Sequence, residues 1–169
     1  MNRVVYPGTF DPLTEGHLDL IRRSARRFDE VVVAVAGVSM KPGNLFPIDE
    51  RMAMVEEACA EAGINNVKVD RLDSMLVDYC RKRDISVVVR GIRVYSDFEY
   101  EFQMALTNRK LNPEVETLFM MPNEAYSYVT ASMIREIARY GGDTAAFVPP
   151  AVQRRLRARI EAQKQTEGK

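Results

Sequence analysis

Short apolar runs alternate along this chain with longer segments of helical period. Val4–Tyr6 is the first run, ended by Pro7-Gly8, and Leu18, Ile21, Ala25 and Phe28 then recur at the spacing of one helix face. Glu30–Gly37 (EVVVAVAG) is unbroken and apolar, the pattern of a parallel strand covered on both faces. Residues 38–47 hold Pro42, Gly43, Asn44 and Pro47 and read as a loop. A helix is predicted from Ile48 to about Ala62, closed by Gly63. Val67–Val69 is a short strand, Ser74 caps a helix reaching about Arg83, and Ile85–Val89 is a buried strand. Ser96 and Glu99 have the spacing of a capping box, which predicts a helix from about Asp97 that stops before Pro113. Val115–Met121 is the fifth strand, helices lie near 131–139 and 150–163, and Gln163–Lys169 is expected to fray.

Strand and helix in repeated alternation predict an α/β fold. The expectation is a single doubly wound, Rossmann-like domain over residues 1–169, with a five-stranded parallel sheet and helices on both faces. On such sheets ligands bind at the carboxyl ends of the strands, near the switch point. A polar cluster immediately after a strand therefore counts for more than one elsewhere.

Composition narrows the function. Lys plus Arg and Asp plus Glu both total 24 in 169 residues, so the chain lacks the basic excess of a general nucleic-acid or membrane-surface binder. Arg154, Arg155, Arg157 and Arg159 read as a solvated helix face, not a nucleic-acid patch. Cys59 and Cys80 are too few for a disulfide scaffold or a zinc cluster and read as reduced thiols on helices. No apolar run approaches a membrane span, and Met1-Asn2-Arg3 leads straight into a strand, without a signal peptide. The cytoplasm is the expected compartment.

Three polar clusters follow strands. After the first come Gly8, Thr9, Phe10, Asp11, Pro12, Thr14, Gly16 and His17. Gly8 allows a tight turn, and Gly16-His17 stands at a helix mouth, where free N–H groups and the helix dipole favour a phosphate. A histidine there can donate to a phosphoryl oxygen as charge develops. After the fourth strand, Arg90-Gly91-Ile92-Arg93 sets two arginines where they can grip phosphate oxygens. After the fifth, Tyr126-Ser127-Tyr128-Val129-Thr130-Ala131-Ser132 brings hydroxyls and N–H groups to a helix start, suited to terminal phosphates or to a plain cap. Lys41, in the loop after the second strand, could reach a substrate phosphate as a point charge. With one histidine and no cysteine beside it, a Ser–His or Cys–His nucleophile is not indicated.

The run G-T-F-D-P-x-T-x-G-H resembles the T/H-x-G-H fingerprint of the nucleotidylyltransferase superfamily. Thr14, with Arg90-Gly91-Ile92-Arg93 continuing through Asp97, Phe98, Glu99 and Glu101, is similar to the phosphopantetheine adenylyltransferase branch in particular, and Asn108-Arg109 match it too. Residues 129–136 resemble the superfamily motif I-S-S-[ST]-x-x-[RK]-E, with Ala131 in place of the middle serine.

The resemblance spans about residues 3–160. It implies transfer of an adenylyl group from ATP to 4′-phosphopantetheine by direct in-line attack, giving dephospho-coenzyme A and pyrophosphate. Mg²⁺ is expected with ATP, and no protein residue is expected as a metal ligand. His17, Lys41 and Arg93 are the catalytic residues so implied. Thr9, Phe10, His17, Gly91, Ile92, Arg93, Glu101 and residues 126–132 would surround ATP. Thr9, Lys41, Met75, Leu76, Arg90, Asn108 and Glu136 would hold phosphopantetheine, although Ser74-Met75-Leu76 fits a core segment equally well. A hexamer and feedback inhibition by coenzyme A are further implications. Two rival readings stand beside this one. One is a related nucleotidylyltransferase with another acceptor, opposed by Thr14 and the pattern at 90–101. The other is a non-catalytic nucleotide-binding regulator, opposed by the retention of His17 and both arginines.

Overall fold

In a computed structural model, which describes residues 1–37 and 43–167, five strands form one parallel sheet. The strands are β1 (Arg3–Gly8), β2 (Glu30–Ala36), β3 (Val67–Leu72), β4 (Val87–Gly91) and β5 (Glu116–Met120), in the order β3-β2-β1-β4-β5. The helices are α1 (Glu15–Ala25), α2 (Ile48–Glu61), α3 (Leu76–Arg83), α4 (Tyr95–Leu111), α5 (Ala131–Arg139) and α6 (Pro150–Glu167). The chain works outward from β1 to β3 and then returns to the other side of β1 for β4. This reversal opens a crevice at the carboxyl ends of β1 and β4.

The unbroken apolar strands are explained by burial on both faces. Val31, Val33 and Val35 of β2 pack with Ile21, Met54 and Leu156 on one face. Val32 and Ala34 pack with Tyr79, Cys80 and Ile85 on the other. Side chains alternate across a strand, so both sets must be apolar. Cys59 and Cys80 are free and buried on α2 and α3. No helix among the described residues is long and apolar enough to cross a membrane.

Several expectations about element ends give way. Ser74 does not cap α3: its Oγ donates to the Met75 carbonyl, and Met75 is the N-cap, without a side-chain bond. The Ser96/Glu99 capping box does not form either. Helix α4 starts at Tyr95, and the Asp97 carboxylate reaches back instead to the Arg93 N–H at 3.1 Å. A charged acceptor outcompetes the serine hydroxyl for that turn. Helix α6 runs on to Glu167 where fraying was expected, and β3 extends to Leu72. The four C-terminal arginines are not merely solvated. Arg154, Arg155 and Arg159 pair with Glu61, Glu57 and Glu50 of α2, and Arg157 with Asp143, making a seam that fastens α6 to α2.

Two buried charged side chains tie the crevice together. Arg51 of α2, 1% exposed, donates to the carbonyls of Thr9 (2.7 Å), Ala36 (2.9 Å) and Phe46 (3.1 Å). Asp11, 3% exposed, accepts from the N–H groups of Leu45 (2.8 Å) and Phe46 (2.9 Å). Together they satisfy backbone groups just past β1, at the end of β2 and in the turn before α2.

Arg51→Leu should therefore leave three carbonyls unpaired and lower the unfolding free energy by about 3 kcal/mol or more. Urea denaturation will show this as a large fall in the midpoint. Arg109→Ala breaks only the exposed pair with Glu116 and should shift stability by less than about 0.5 kcal/mol. Equal effects for the two variants would contradict the assignment.

Candidate active site

Three loops converge on the crevice: the β1–α1 loop, the β4–α4 turn and the segment from β5 to α5. They enclose a cavity of about 330 Å³. Gly8 lies beneath the ring of Phe10, and a Cβ there would stand 2.7 Å from that ring, so the turn needs glycine. Phe10 has φ +49, in the left-handed region, and meets Tyr6 and His17 edge-on at 5.4 and 5.1 Å. Burial pushes the Tyr6 phenol up, so it remains protonated on the cavity wall.

His17 is the third residue of α1 and closes a capping box with Thr14. The Thr14 N–H donates to Nδ1 at 3.1 Å, while Thr14 Oγ1 accepts from the His17 N–H at 3.3 Å. A hydrogen-bond acceptor at Nδ1 leaves the ring proton on Nε2. Burial, aided by the positive charge of Arg93 and Arg90, lowers its pKa to about 4. At neutral pH His17 is thus an uncharged imidazole with one N–H to donate.

Each guanidinium lining the cavity is braced by a carboxylate. Arg90 donates to Glu101 through two nitrogens, at 2.7 and 2.5 Å, and to the Pro7 carbonyl at 2.9 Å. Arg93 donates to both oxygens of Asp97, at 3.0 and 3.2 Å, and to the Val129 carbonyl at 3.3 Å. Arg135 donates to the Asp11 carbonyl at 2.5 Å and to Ser132 Oγ at 3.2 Å, with its charge 3.8 Å from the Asp11 carboxylate. Bidentate bracing fixes Arg90 and Arg93 before a ligand arrives, and Arg135 is held by the Asp11 carbonyl and Ser132. Opposite them, Thr130 caps α5 by accepting from the Met133 N–H at 3.1 Å. The N–H groups of Ala131 and Ser132 at the helix start have no helical partner and can bind an anion.

Most of the expected nucleotide residues meet here. Thr9, Phe10, His17, Gly91, Arg93, Glu101, Tyr126 and Val129–Ser132 all line the cavity, and Arg90, expected at phosphopantetheine, lines it with them. Others do not. The Ile92 N–H bonds the Met120 carbonyl, continuing the β4–β5 pairing. Ser127 Oγ donates to the Glu124 carbonyl, and Tyr128 is exposed beside Phe147. Leu76 and Asn108 line a second, slightly smaller slot of about 300 Å³ between α3, α4 and the sheet. Met75, 56% exposed, lies outside it. Glu136 opens instead onto a basin behind α5 with Arg135 and Arg139. Lys41 lies outside the described residues. The cavity and the slot share Pro7, Gly8, Thr9, Arg90 and Glu101 as their common wall.

Sequence reasoning missed Asp11, Asp97 and Arg135 as site residues. The signals were present: Asp97 follows Arg93 by four positions, Arg135 follows Ser132 by one helical turn, and Asp11 sits inside the first fingerprint. Among the described residues no group of three His, Cys, Asp or Glu side chains could hold a metal ion. Asp11, Asp97 and Glu101 are committed to arginines and backbone.

Residues 5–137 match the family model described as cytidylyltransferase-like. The phosphopantetheine adenylyltransferase of Thiobacillus denitrificans is 51% identical over 160 residues, 95% of this chain and 98% of that protein. The enzyme of the same name from Thermobifida fusca is 48% identical, over 94% of each chain. Among solved structures, one provisionally described as a nicotinate-nucleotide adenylyltransferase from Vibrio parahaemolyticus aligns with a TM-score of 0.69 at 17% identity, over 92% of this chain and 91% of that one. A bifunctional NMN adenylyltransferase/ADP ribose pyrophosphatase from Francisella tularensis, complexed with AMP and Mn ion, aligns at 0.67 and 19%, over 87% of this chain and 44% of that one. At these identities the two structures speak for the fold alone.

Because the chain has one histidine, its imidazole proton resonance is unambiguous. NMR titration should place its midpoint near 4, well below the ordinary 6.5. The unfolded chain binds this proton more readily, so His17 supports stability fully above about 6.5 and loses that contribution as pH falls toward 4. A midpoint at 6 or above would contradict a neutral donor.

Proposed function

The chain belongs to the phosphopantetheine adenylyltransferase family, and from that premise we propose how its residues carry the reaction. The protein is a nucleotidyltransferase of coenzyme A biosynthesis. It transfers the adenylyl group of ATP to 4′-phosphopantetheine, and dephospho-coenzyme A and pyrophosphate leave. The observation that supports the assignment of roles best is the common wall of the two cavities. A nucleotide-sized space with a neutral histidine adjoins a mostly apolar slot, and Thr9 and Arg90 stand between them.

ATP occupies the first cavity and the pantetheine arm the slot. Arg90, held by Glu101, grips the acceptor phosphate, with Thr9 and Lys41 orienting it. An acceptor phosphate oxygen attacks the α-phosphorus of ATP, and the bond to the β-phosphate breaks, its electron pair leaving on pyrophosphate. The attacking oxygen is already anionic, so the step needs alignment and charge neutralisation more than a base. His17 Nε2–H donates to a non-bridging α-phosphate oxygen as its charge grows. Arg93, the free N–H groups of α5, Ser132 and Arg135 hold the β- and γ-phosphates. Both Glu101 oxygens engage Arg90, so its part in the nucleotide site is to hold that arginine. Ala131 supplies its backbone N–H where the family motif adds a hydroxyl.

Mg²⁺ would accompany ATP and supply charge neutralisation at its phosphates, with no cluster of acidic or histidine side chains among the described residues to hold it. Coenzyme A carries the same pantetheine arm as the substrate and would compete for the slot. Phe98, Phe102 and Leu106 are exposed along one face of α4, an apolar face suited to association with further copies of this chain, and a hexamer is the assembly we propose. The cytoplasm is the compartment in keeping with the free thiols of Cys59 and Cys80.

Pyrophosphate release from Mg·ATP should require 4′-phosphopantetheine and stay at background with nicotinate mononucleotide. Release with the mononucleotide alone would overturn the acceptor, and silence with both would overturn the enzyme reading. His17→Ala should cut kcat by roughly 10²–10³-fold and leave the KM for ATP within about threefold. A variant that loses ATP affinity but keeps kcat would remove His17 from the transition state.

A further inference from the structure

The slot between α3, α4 and β5 contains a hydroxyl without a partner. Thr117 is the second residue of the edge strand β5, in register with Val88. Its Oγ1 is sealed from solvent and meets no hydrogen-bonding group among the described residues. A valine would fill the same volume on a strand without the desolvation cost of that oxygen. Thr117 is also a wall residue of the slot. Asn108, across the slot on α4, is 9% exposed, and its side-chain amide forms no hydrogen bond among the described residues. Leu72, Leu76 and Met104 make the neighbouring wall apolar. Two unspent polar side chains in a mostly apolar slot are the complement of an apolar chain that carries amide groups.

We propose that Thr117 is an acceptor-binding, specificity-determining residue whose hydroxyl hydrogen-bonds an amide of the pantetheine arm. This rests on the reading of the slot as the acceptor site. A single χ1 rotation exchanges the methyl and hydroxyl of threonine. The oxygen buried against the sheet in the empty slot turns to face the arm when the slot is filled. The pair Asn108 and Thr117 then reads amide groups, while the leucines and Met104 exclude water around them. A chain of similar length without amides would leave both polar groups unpaired and be rejected.

Two variants test this, each assayed for pyrophosphate release and for thermal unfolding. Thr117→Val removes the hydroxyl and keeps the shape; Thr117→Ser keeps the hydroxyl. Thr117→Val should raise the KM for 4′-phosphopantetheine roughly three- to tenfold, with kcat and the KM for ATP unchanged. Its Tm should hold or rise by up to about 4 °C, because an unpaired buried oxygen has been removed. Thr117→Ser should keep the wild-type acceptor KM. An unchanged acceptor KM in Thr117→Val overturns the proposal. So does a clear fall in Tm, which would mean that the hydroxyl has a partner in the free protein, or an equal loss for ATP. If the wild-type protein does not turn over phosphopantetheine, the acceptor reading fails and this proposal fails with it. If the wild type turns over and Thr117→Val matches it, only this proposal fails.

Discussion

Backbone groups just past β1, at the end of β2 and in the turn before α2 converge where the strand ladder gives way to loops, and they need partners from side chains. Arg51 and Asp11 resolve this constraint, one donating to three carbonyls and the other accepting from two N–H groups. Each is a charged side chain almost sealed from water, and each is tolerable there because its bonding capacity is used. The same bonds fix the Thr9 peptide and join the end of β2 to Phe46. Asp11 also lies beside Arg135 of α5, so the knot links β1, α2 and the far helix. The reacting region is rigid because the fold must satisfy these groups in any case.

The electrostatics of the crevice follow from what is buried beside what. Arg90, Arg93 and Arg135 bring positive charge to a small volume, and Glu101, Asp97 and Asp11 hold them in place. The carboxylates face the arginines, so none is left to repel a nucleotide. The histidine among these cations cannot afford a charge of its own, and its Nδ1 is already an acceptor for Thr14. It is therefore a fixed neutral donor. Its contribution is a hydrogen bond aimed at developing charge, which suits a reaction whose nucleophile needs no deprotonation.

Where the sequence was legible, the signal was local. Val31–Val35 must be a strand buried on both faces, and Gly8 must allow a tight turn after β1, because short stretches of residues decide both. The His17 and Arg90–Arg93 clusters could be ranked from topology alone, since each follows a strand. Two of the misreadings involve a competition between partners that the sequence does not rank. Ser96 had the spacing to cap α4, but Asp97 found the Arg93 backbone and guanidinium first. Arg154 to Arg159 looked like a solvated face until α2 supplied three glutamates opposite them. Met75 and Leu76 are adjacent, yet only Leu76 lines the slot, because neighbouring residues at a helix start point in different directions.

The sequence by itself determined the layer order of strand and helix, the apolar faces and the three polar clusters at the strand ends. These depend on period and on residue type, which one chain carries in full. Only the tertiary structure decided which side chains share a site. Asp11 with Arg135, Arg51 with Thr9, and Thr117 with Asn108 are separated by between 9 and 124 positions. Their proximity is set by strand order and helix packing. The protonation of His17 belongs to the same class, since it depends on burial and on two arginines more than 70 positions away. Desolvation and pairing are properties of a place in the folded molecule, and that place exists only once the sheet has brought β1, β4 and β5 side by side.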